Sequence, residues 1–166
     1  PYHVSADRIS ALNPKGIVIS GGPASVLEEQ APQPDPAIYE LGLPVLGIGY
    51  GMQVMAHQLG GKVGPGRLQE SGKAELNFHA DSVLAKSLDA KQQVRMSHGD
   101  IVLEPPEGFV VEAAAADAPV AVMSRPEKKW HAVQFHPEAT DTSNGNQMID
   151  NFLVHVCGCE KSWDTS

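Results

Sequence analysis

Three short segments of the chain carry residue types that could act together in nucleophilic catalysis. The first, Gly47-Ile48-Gly49-Tyr50-Gly51, lies between an apolar run and a helix-like pattern, which is the outline of a nucleophile elbow. Glycines flank the apex of such a bend because there is no room for side chains. The following helix directs its N-terminus at the apex, where it stabilises a thiolate and a developing oxyanion. The apex should be Ser or Cys, but it is Gly49.

The other two segments supply groups that a bend of this kind needs. Phe135-His136-Pro137-Glu138 follows a predicted strand, so we expect His136 to lie near an end of the sheet. His136 and Glu138 are typical of the base and the orienting group of a catalytic triad. The segment 96–100 is a polar cluster in a predicted connecting region, which is typical of a ligand-contacting loop.

Each segment also has a simpler interpretation. Gly-x-Gly-x-Gly after a strand can be only a tight turn before a helix. It also resembles a dinucleotide fingerprint with Glu70 as the ribose ligand, but Met52 stands at the third-glycine position and no clear strand precedes Glu70. A lone His136 would more often be structural, and we assign that role to His3, His57, His79, His131 and His155. No set of His and Cys residues has the spacing of a zinc site.

The elements that position these segments alternate between strands and helices, which predicts an α/β fold with a mostly parallel central sheet flanked by helices. Residues 16–20 are predicted to form a buried strand before Gly21-Gly22-Pro23, and residues 44–48 a second one. Residues 35–42 fit a short helix that Asp35 caps and Gly42 ends. The helix after the bend has one apolar face and ends at Gly60-Gly61; the face comprises Met52, Met55, Ala56 and Leu59.

The second half of the chain is predicted to add antiparallel strands to this sheet. Short β-like runs lie at 74–78, 109–113 and 119–123, and a turn at 125–128 leads to a strand at 130–135. The last predicted element is a helix over 146–156. Its apolar side comprises Ile149, Phe152, Leu153 and Val156.

Composition restricts the class of protein. Hydrophobic residues make up 42% and charged residues 19% of the 166, which is typical of one globular domain. The net charge of −8 disfavours a nucleic-acid partner. No apolar run approaches the roughly 18 residues of a membrane helix, so we expect no membrane partner. Cys157 and Cys159 are spaced poorly for a disulfide, which makes a reducing cytoplasm the expected location.

Taken together, these motifs resemble the class I (triad) glutamine amidotransferases, and within them the amidotransferase domains of GMP synthases. The resemblance runs from Gly16 to Cys159. The family's elbow reads Gly-Ile-Cys-Tyr-Gly-Met-Gln, which residues 47–53 match except at Gly49. Residues 20–23 match its oxyanion loop, residues 97–100 its glutamine-site loop in the GMP synthase version, and residues 134–138 its His–Glu segment.

The resemblance implies a role for each matched residue. The family hydrolyses glutamine to glutamate and ammonia through a cysteine at the position of Gly49, with His136 as base and Glu138 as its orienting group. Backbone N–H groups at Gly22 and Tyr50 would form the oxyanion hole. Glutamine would be held by Gln53, Ser97, His98 and Asp100.

The resemblance also implies a partner. Ammonia would pass to an ATP-pyrophosphatase (synthetase) domain, in which ATP and Mg²⁺ serve the amination of xanthosine monophosphate to GMP. We expect no cofactor or metal in this chain. Residues 1–156 are predicted to be the amidotransferase domain, without the family's first strand and helix, and residues 157–166 a tail toward the absent synthetase domain.

Gly49 departs from the family pattern. Without a thiolate there is no acyl-enzyme, so we expect an intact pocket and no meaningful glutaminase activity. An engineered knockout, a natural inactive homologue and an error in the recorded residue are three explanations, and the retained His136 and Glu138 favour the first and third. Alternative functions are a non-catalytic module that binds glutamine or a partner, and a component of another triad amidotransferase.

Overall fold

The computed structural model describes residues 2–22 and 25–160, and it describes the backbone alone at 67–71 and at His98. The strands are β1 (Ile17–Ile19), β2 (Val45–Ile48), β3 (Lys62–Phe78), β4 (Lys91–Glu104), β5 (Val110–Ala115), β6 (Ala118–Arg125) and β7 (Trp130–Val133). The α-helices are α1 (Ala6–Ala11), α2 (Tyr50–Gln58) and α3 (Gly145–Asn151). Short 3₁₀ helices span Pro36–Glu40 and Pro126–Lys128, and α3 continues into a π-helical turn over Phe152–Val156.

The strands form one mixed sheet in the order β1-β2-β7-β6-β5-β3-β4. β1, β2 and β7 are parallel to one another, and the remaining neighbours pair antiparallel. The predicted α/β fold with an antiparallel addition is therefore confirmed. Because β2 and β7 are adjacent and parallel, their carboxyl ends lie side by side, and these ends lead to Gly49 and His136.

The prediction that β1 is a buried strand was wrong in part. β1 has a sheet neighbour on one side only among the described residues, and the Val18 side chain is 52% exposed. An apolar run is consistent with a strand covered on both faces, but it does not show which strand lies at the edge of the sheet. β2, in contrast, is buried along its whole length, as predicted.

The sequence predicted a connecting loop at 96–100, but this polar segment is part of the long strand β4. Ser97 pairs with Ser71 and Asp100 with Pro65 across the antiparallel β3–β4 ladder. The register shifts between Pro65 and Glu70, where the glycine-rich stretch interrupts regular pairing. The β3–β4 hairpin is held by backbone pairing around this shift. Its residues there lack the apolar alternation that identifies a strand in a sequence.

The predicted helices are present, with changes in type. Asp35 caps residues 36–40 by accepting a hydrogen bond from the Ala37 N–H at 3.0 Å, but the helix is 3₁₀. α2 is buried at every position from Tyr50 to Ala56, because the sheet covers one side and other segments cover the rest. The core face of the last helix comprises Met148, Asn151 and Phe152. Ile149, which was predicted to lie on that face, is only half-buried.

Two apolar clusters stabilise the fold, one on each side of the sheet. The first joins α2 to β1, β2 and Trp130, and the second lies under α3 and includes Leu76, Met96 and Phe135. In the described part of the chain, no helix combines the length and apolar character that crossing a bilayer requires.

Candidate active site

The bend between β2 and α2 has the backbone geometry of a nucleophile elbow. Gly49 has φ +58° and ψ −114°, which is a conformation that L-residues adopt only under strain. Its N–H donates to the Val133 carbonyl at 2.9 Å, which joins the bend to the end of β7. Close packing explains a second glycine, because a Cβ on Gly51 would lie only 1.8 Å from the Ile19 carbonyl oxygen.

His136 faces the apex of this bend. A Cβ placed on Gly49 would lie 3.4 Å from His136 Cε1 and 3.6 Å from His136 Nε2. On its other side, His136 Nδ1 lies 2.8 Å from Glu138 Oε1. The imidazole therefore stands between the apex and a carboxylate, which is the order of groups in a triad. The sequence predicted that these three positions meet, and the structure brings them together.

Of the two predicted oxyanion-hole residues, Tyr50 directly follows the apex, while a role for Gly22 stays a prediction. The Gly49 carbonyl accepts the first helical hydrogen bonds, from the Met52 and Gln53 N–H groups at 3.0 and 3.3 Å. The N–H of Tyr50 belongs to the first turn of α2, whose donors have no acceptor within the helix. Gly21 packs on the Tyr50 ring so closely that a Cβ there would lie 2.4 Å from Tyr50 Cδ1, which brings the exposed Gly22 segment beside the bend.

The Tyr50 side chain holds this segment rather than facing the apex. Its hydroxyl donates to the Pro32 carbonyl at 2.6 Å. Burial, and to a smaller extent the negative charge of Glu28, raises the pKa of the phenol, so it remains a neutral donor. The Tyr50 ring is thus tied to the Pro32 segment, and a catalytic role for the Tyr50 backbone N–H stays a prediction.

The predicted glutamine-binding residues occupy one region, with different surroundings. Gln53 is buried, and its Nε2 donates to the Asp100 carbonyl at 2.9 Å, which fixes β4 to α2. The Asp100 carboxylate accepts a short hydrogen bond from the Ser25 hydroxyl. Ser97 is exposed. The side chains of His98 and of Glu70, the residue considered for ribose binding, lie outside what the structure describes. Contact of these residues with glutamine stays a prediction.

Two residues that sequence reasoning missed hold the backbone of His136. The Thr142 hydroxyl donates to the His136 carbonyl at 2.7 Å and accepts from the Arg95 N–H at 2.8 Å. The His136 N–H donates in turn to the Arg95 carbonyl at 2.9 Å. Arg95 also forms an ion pair with Asp141 at 3.1 Å. The contacts of Arg95 with Thr142 and Asp141 join residues more than 40 positions apart, so no local pattern in the sequence indicates them.

Gln134, which the sequence provided only as part of a motif, is also close to the apex. A Cβ on Gly49 would lie 3.9 Å from its carbonyl oxygen. Its side chain is 1% exposed, and neither its amide oxygen nor its amide nitrogen has a hydrogen-bond partner among the described residues.

Comparisons with known proteins agree with this geometry. The family described as Glutamine amidotransferase class-I matches residues 1–156. A GMP synthase [glutamine-hydrolyzing] of Geobacillus kaustophilus is 52% identical over 98% of this chain, and that of Bacillus subtilis is 47% identical over the same share. The chain spans 32% of the length of each of these relatives.

Solved structures show the same fold. A candidate GMP synthase component from Thermoplasma acidophilum superposes with a TM-score of 0.84 at 24% identity, and the match covers 95% of this chain and 79% of that one. A glutamine amidotransferase from Thermotoga maritima gives a TM-score of 0.61 at 20% identity, over 83% of this chain and 61% of its own. At these identities the likeness concerns the fold alone.

Proposed function

Because the chain belongs to the class-I glutamine amidotransferase family, we propose that it is the glutaminase part of a GMP synthase in which glycine occupies the position of the nucleophile. The proposal is carried by one distance at the apex of the bend. A Cβ on Gly49 would lie 3.6 Å from His136 Nε2. A thiol on that Cβ would be within reach of the imidazole.

The proposed reaction begins with a cysteine at position 49. Its sulfur attacks the side-chain amide carbon of glutamine while His136 takes the thiol proton. The tetrahedral oxyanion is stabilised by backbone N–H groups near Gly22 and Tyr50. The C–N bond then breaks, His136 returns the proton to the departing ammonia, and a γ-glutamyl thioester remains. Water, deprotonated by His136, hydrolyses the thioester to glutamate and regenerates the thiol.

Glu138 supports both proton transfers. Its carboxylate contacts Nδ1 of His136 and so leaves Nε2 toward the apex. It also stabilises the imidazolium that forms at each transfer. Ammonia would be used in a synthetase region for the ATP-dependent amination of xanthosine monophosphate, and the full-length GMP synthase relatives support this part of the proposal.

With glycine at position 49, the same pocket has no attacking atom. In the proposed function, this chain therefore retains the site but cannot carry out the first covalent step. Gly49 itself favours the second candidate function, a module that binds glutamine or a partner without hydrolysing it.

Replacing Gly49 separates the two candidates. We expect Gly49→Cys to release glutamate from glutamine at least about 10³-fold faster than the parent chain, since nucleophile loss in a triad costs about 10⁶. Gly49→Ala is the matched control, because it adds the same Cβ without a thiol. Both variants should lose about 1–3 kcal/mol of unfolding free energy, since both place a side chain at φ +58°.

The outcome is decided by the difference between the two variants. A folded Gly49→Cys protein that releases no more glutamate than Gly49→Ala contradicts the proposal. Calorimetric binding of glutamine to that same protein would then support the binding module.

A further inference from the structure

Ser25 forms a hydrogen bond that the proposed reaction does not use. Its hydroxyl donates to Asp100 Oδ2, which lies 75 positions away along the chain. Ser25 belongs to the segment that follows β1, whereas Asp100 belongs to β4, and these two strands are the first and the last in the order of the sheet. The bond therefore joins the segment that includes Gly22 to a distant strand.

Asp100 is the fixed side of this bond. It pairs with Pro65 in the β3–β4 ladder, and its carbonyl accepts from Gln53 Nε2 at 2.9 Å. Gln53 is buried and belongs to α2, the helix that begins directly after Gly49. Asp100 thus provides an anchor whose position relative to the elbow does not depend on Ser25.

The segment around Gly22 has less support of its own. Gly21 and Gly22 are exposed, and a Cβ on Gly22 would meet no heavy atom of the described residues within 4 Å. Gly21 packs on the Tyr50 ring and so attaches the start of the segment to α2. Because Ser25 lies three positions after Gly22, its bond to Asp100 restricts where the Gly22 N–H can lie.

Ser25 also has local contacts, which are a separate possible reason for its presence. Its hydroxyl accepts from the Leu27 N–H at 3.2 Å, and its carbonyl accepts from the Glu28 N–H at 3.1 Å. Val26 is buried in the apolar cluster around α2. These contacts shape the turn at 25–28, but the two hydrogen bonds within it do not connect the turn to β4.

We propose that Ser25 is a positioning residue, which holds the Gly22 segment beside the elbow through its hydrogen bond to Asp100. This inference rests on the proposed glutaminase function, because it concerns the oxyanion that forms during attack on glutamine. A donor that is already in place stabilises such an oxyanion without reorganisation. A misplacement of about 1 Å can cost about 10²-fold in rate, so loss of the bond should slow the chemical step.

Ser25→Ala in the Gly49→Cys protein tests the proposal by steady-state kinetics of glutamate release. We expect kcat to fall at least about tenfold while KM changes less than about twofold, since Asp100 stays fixed through Gln53. Ser25→Thr keeps the hydroxyl and should restore most of the rate.

Ser5→Ala is the matched control for the loss of a serine hydroxyl. The Ser5 hydroxyl accepts from the Arg8 N–H at 3.3 Å, where it caps α1. This bond does not involve the segment of Gly22, so its loss should change neither kcat nor KM. A loss of kcat equal to that of Ser25→Ala would indicate general destabilisation and would contradict the proposal.

A double-mutant cycle shows whether Ser25 acts through Asp100. In a Gly49→Cys/Asp100→Ala protein, Ser25→Ala should lower kcat/KM less than about twofold, because the partner of the hydroxyl is already absent. A serine that only shapes the turn at 25–28 would cause the same loss with and without the carboxylate. Equal losses in the two backgrounds therefore overturn the proposal.

Failure of this inference and failure of the proposed function give different results. If Gly49→Cys is as inactive as Gly49→Ala, the glutaminase function fails and the positioning role of Ser25 fails with it. If Gly49→Cys is active and Ser25→Ala lowers kcat less than about threefold, the inference about Ser25 alone is overturned. A rise in KM at constant kcat overturns it as well, since Ser25 would then serve glutamine binding rather than the oxyanion.

Discussion

β7 leads from one imidazole near its start to another beyond its end, and the two have opposite surroundings. His136 is paired with Glu138 at 2.8 Å, and both side chains are partly exposed, at 25% and 58%. His131 and Glu112 line one cavity and are 3% and 2% exposed, and each has a polar atom without a hydrogen-bond partner among the residues that the structure describes. The same two residue types thus form a partly exposed pair beyond the end of β7 and are buried in the interior near its start.

This difference separates two uses of charge. At the elbow, the carboxylate already has its partner, so its charge is available to stabilise an imidazolium during a reaction. In the interior, burial raises the pKa of Glu112 and lowers the pKa of His131, so the charged form of each is disfavoured. Variants that remove one group at a time should therefore affect activity at one end and stability at the other.

The largest effect is expected from Glu138→Gln in the Gly49→Cys protein. Loss of the carboxylate should lower kcat for glutamate release by about 10²- to 10⁴-fold, as removal of the triad acid does in proteases. The unfolding free energy should change by less than about 0.5 kcal/mol, because the side chain is 58% exposed. Steady-state kinetics and chemical denaturation measure the two quantities.

Glu127→Gln is the matched control for Glu138→Gln, since Glu127 is an exposed carboxylate that pairs with Arg125 far from the bend. A decrease in kcat of under threefold for Glu138→Gln would mean that the carboxylate beside His136 does not support catalysis, which contradicts the role given to this pair.

The next effect concerns His131 and pH. Its pKa is about 4 in the folded protein against 6.5 in an unfolded chain. Between these values the unfolded state binds more protons, so stability that is present above pH 6.5 is lost as the pH falls toward 4. His131→Phe should remove about 2–3 kcal/mol of this loss. Denaturation curves of both proteins from pH 7 to pH 4 provide the measurement.

His57→Phe, which changes an exposed histidine of α2, is the control for this pH series. Parallel pH dependence of the His131→Phe and parent proteins would mean that the ring is not held neutral by burial.

The smallest effect is expected from Thr142→Val in the Gly49→Cys protein. Valine keeps the shape of threonine but removes the hydroxyl that joins the His136 carbonyl to the Arg95 N–H. We expect kcat to fall about tenfold with little change in KM, because the imidazole is less well positioned. Thr142→Ser retains the hydroxyl and should restore most of the rate, whereas equal losses in both variants would indicate a packing role alone.

The chemistry of the elbow could be predicted from sequence because it is local. Gly49 lies between a buried apolar run and a helix with a clear face, and His136 and Glu138 are two residues apart, so short patterns contain most of the information. The topology rule that parallel strands end at one edge then brings the two segments together. The structure added only distances to this part of the fold.

The parts that could not be predicted depend on contacts distant in sequence. β4 is polar and pairs with a glycine-rich stretch of β3, so neither strand shows alternation around Ser97 and Glu70. Thr142 and Arg95 meet across 47 residues. Glu112 and His131 share a cavity through a shifted register in the β5–β6 pairing, which no local pattern encodes.

The exposed edge of the sheet has a consequence for the behaviour of the isolated chain. A strand at the edge of a sheet offers unpaired N–H and C=O groups as a template for pairing with another extended segment. Val18, at the centre of β1, is 52% exposed. Solutions of the 166-residue chain should therefore self-associate as the protein concentration rises, by continuing the sheet from one molecule into the next.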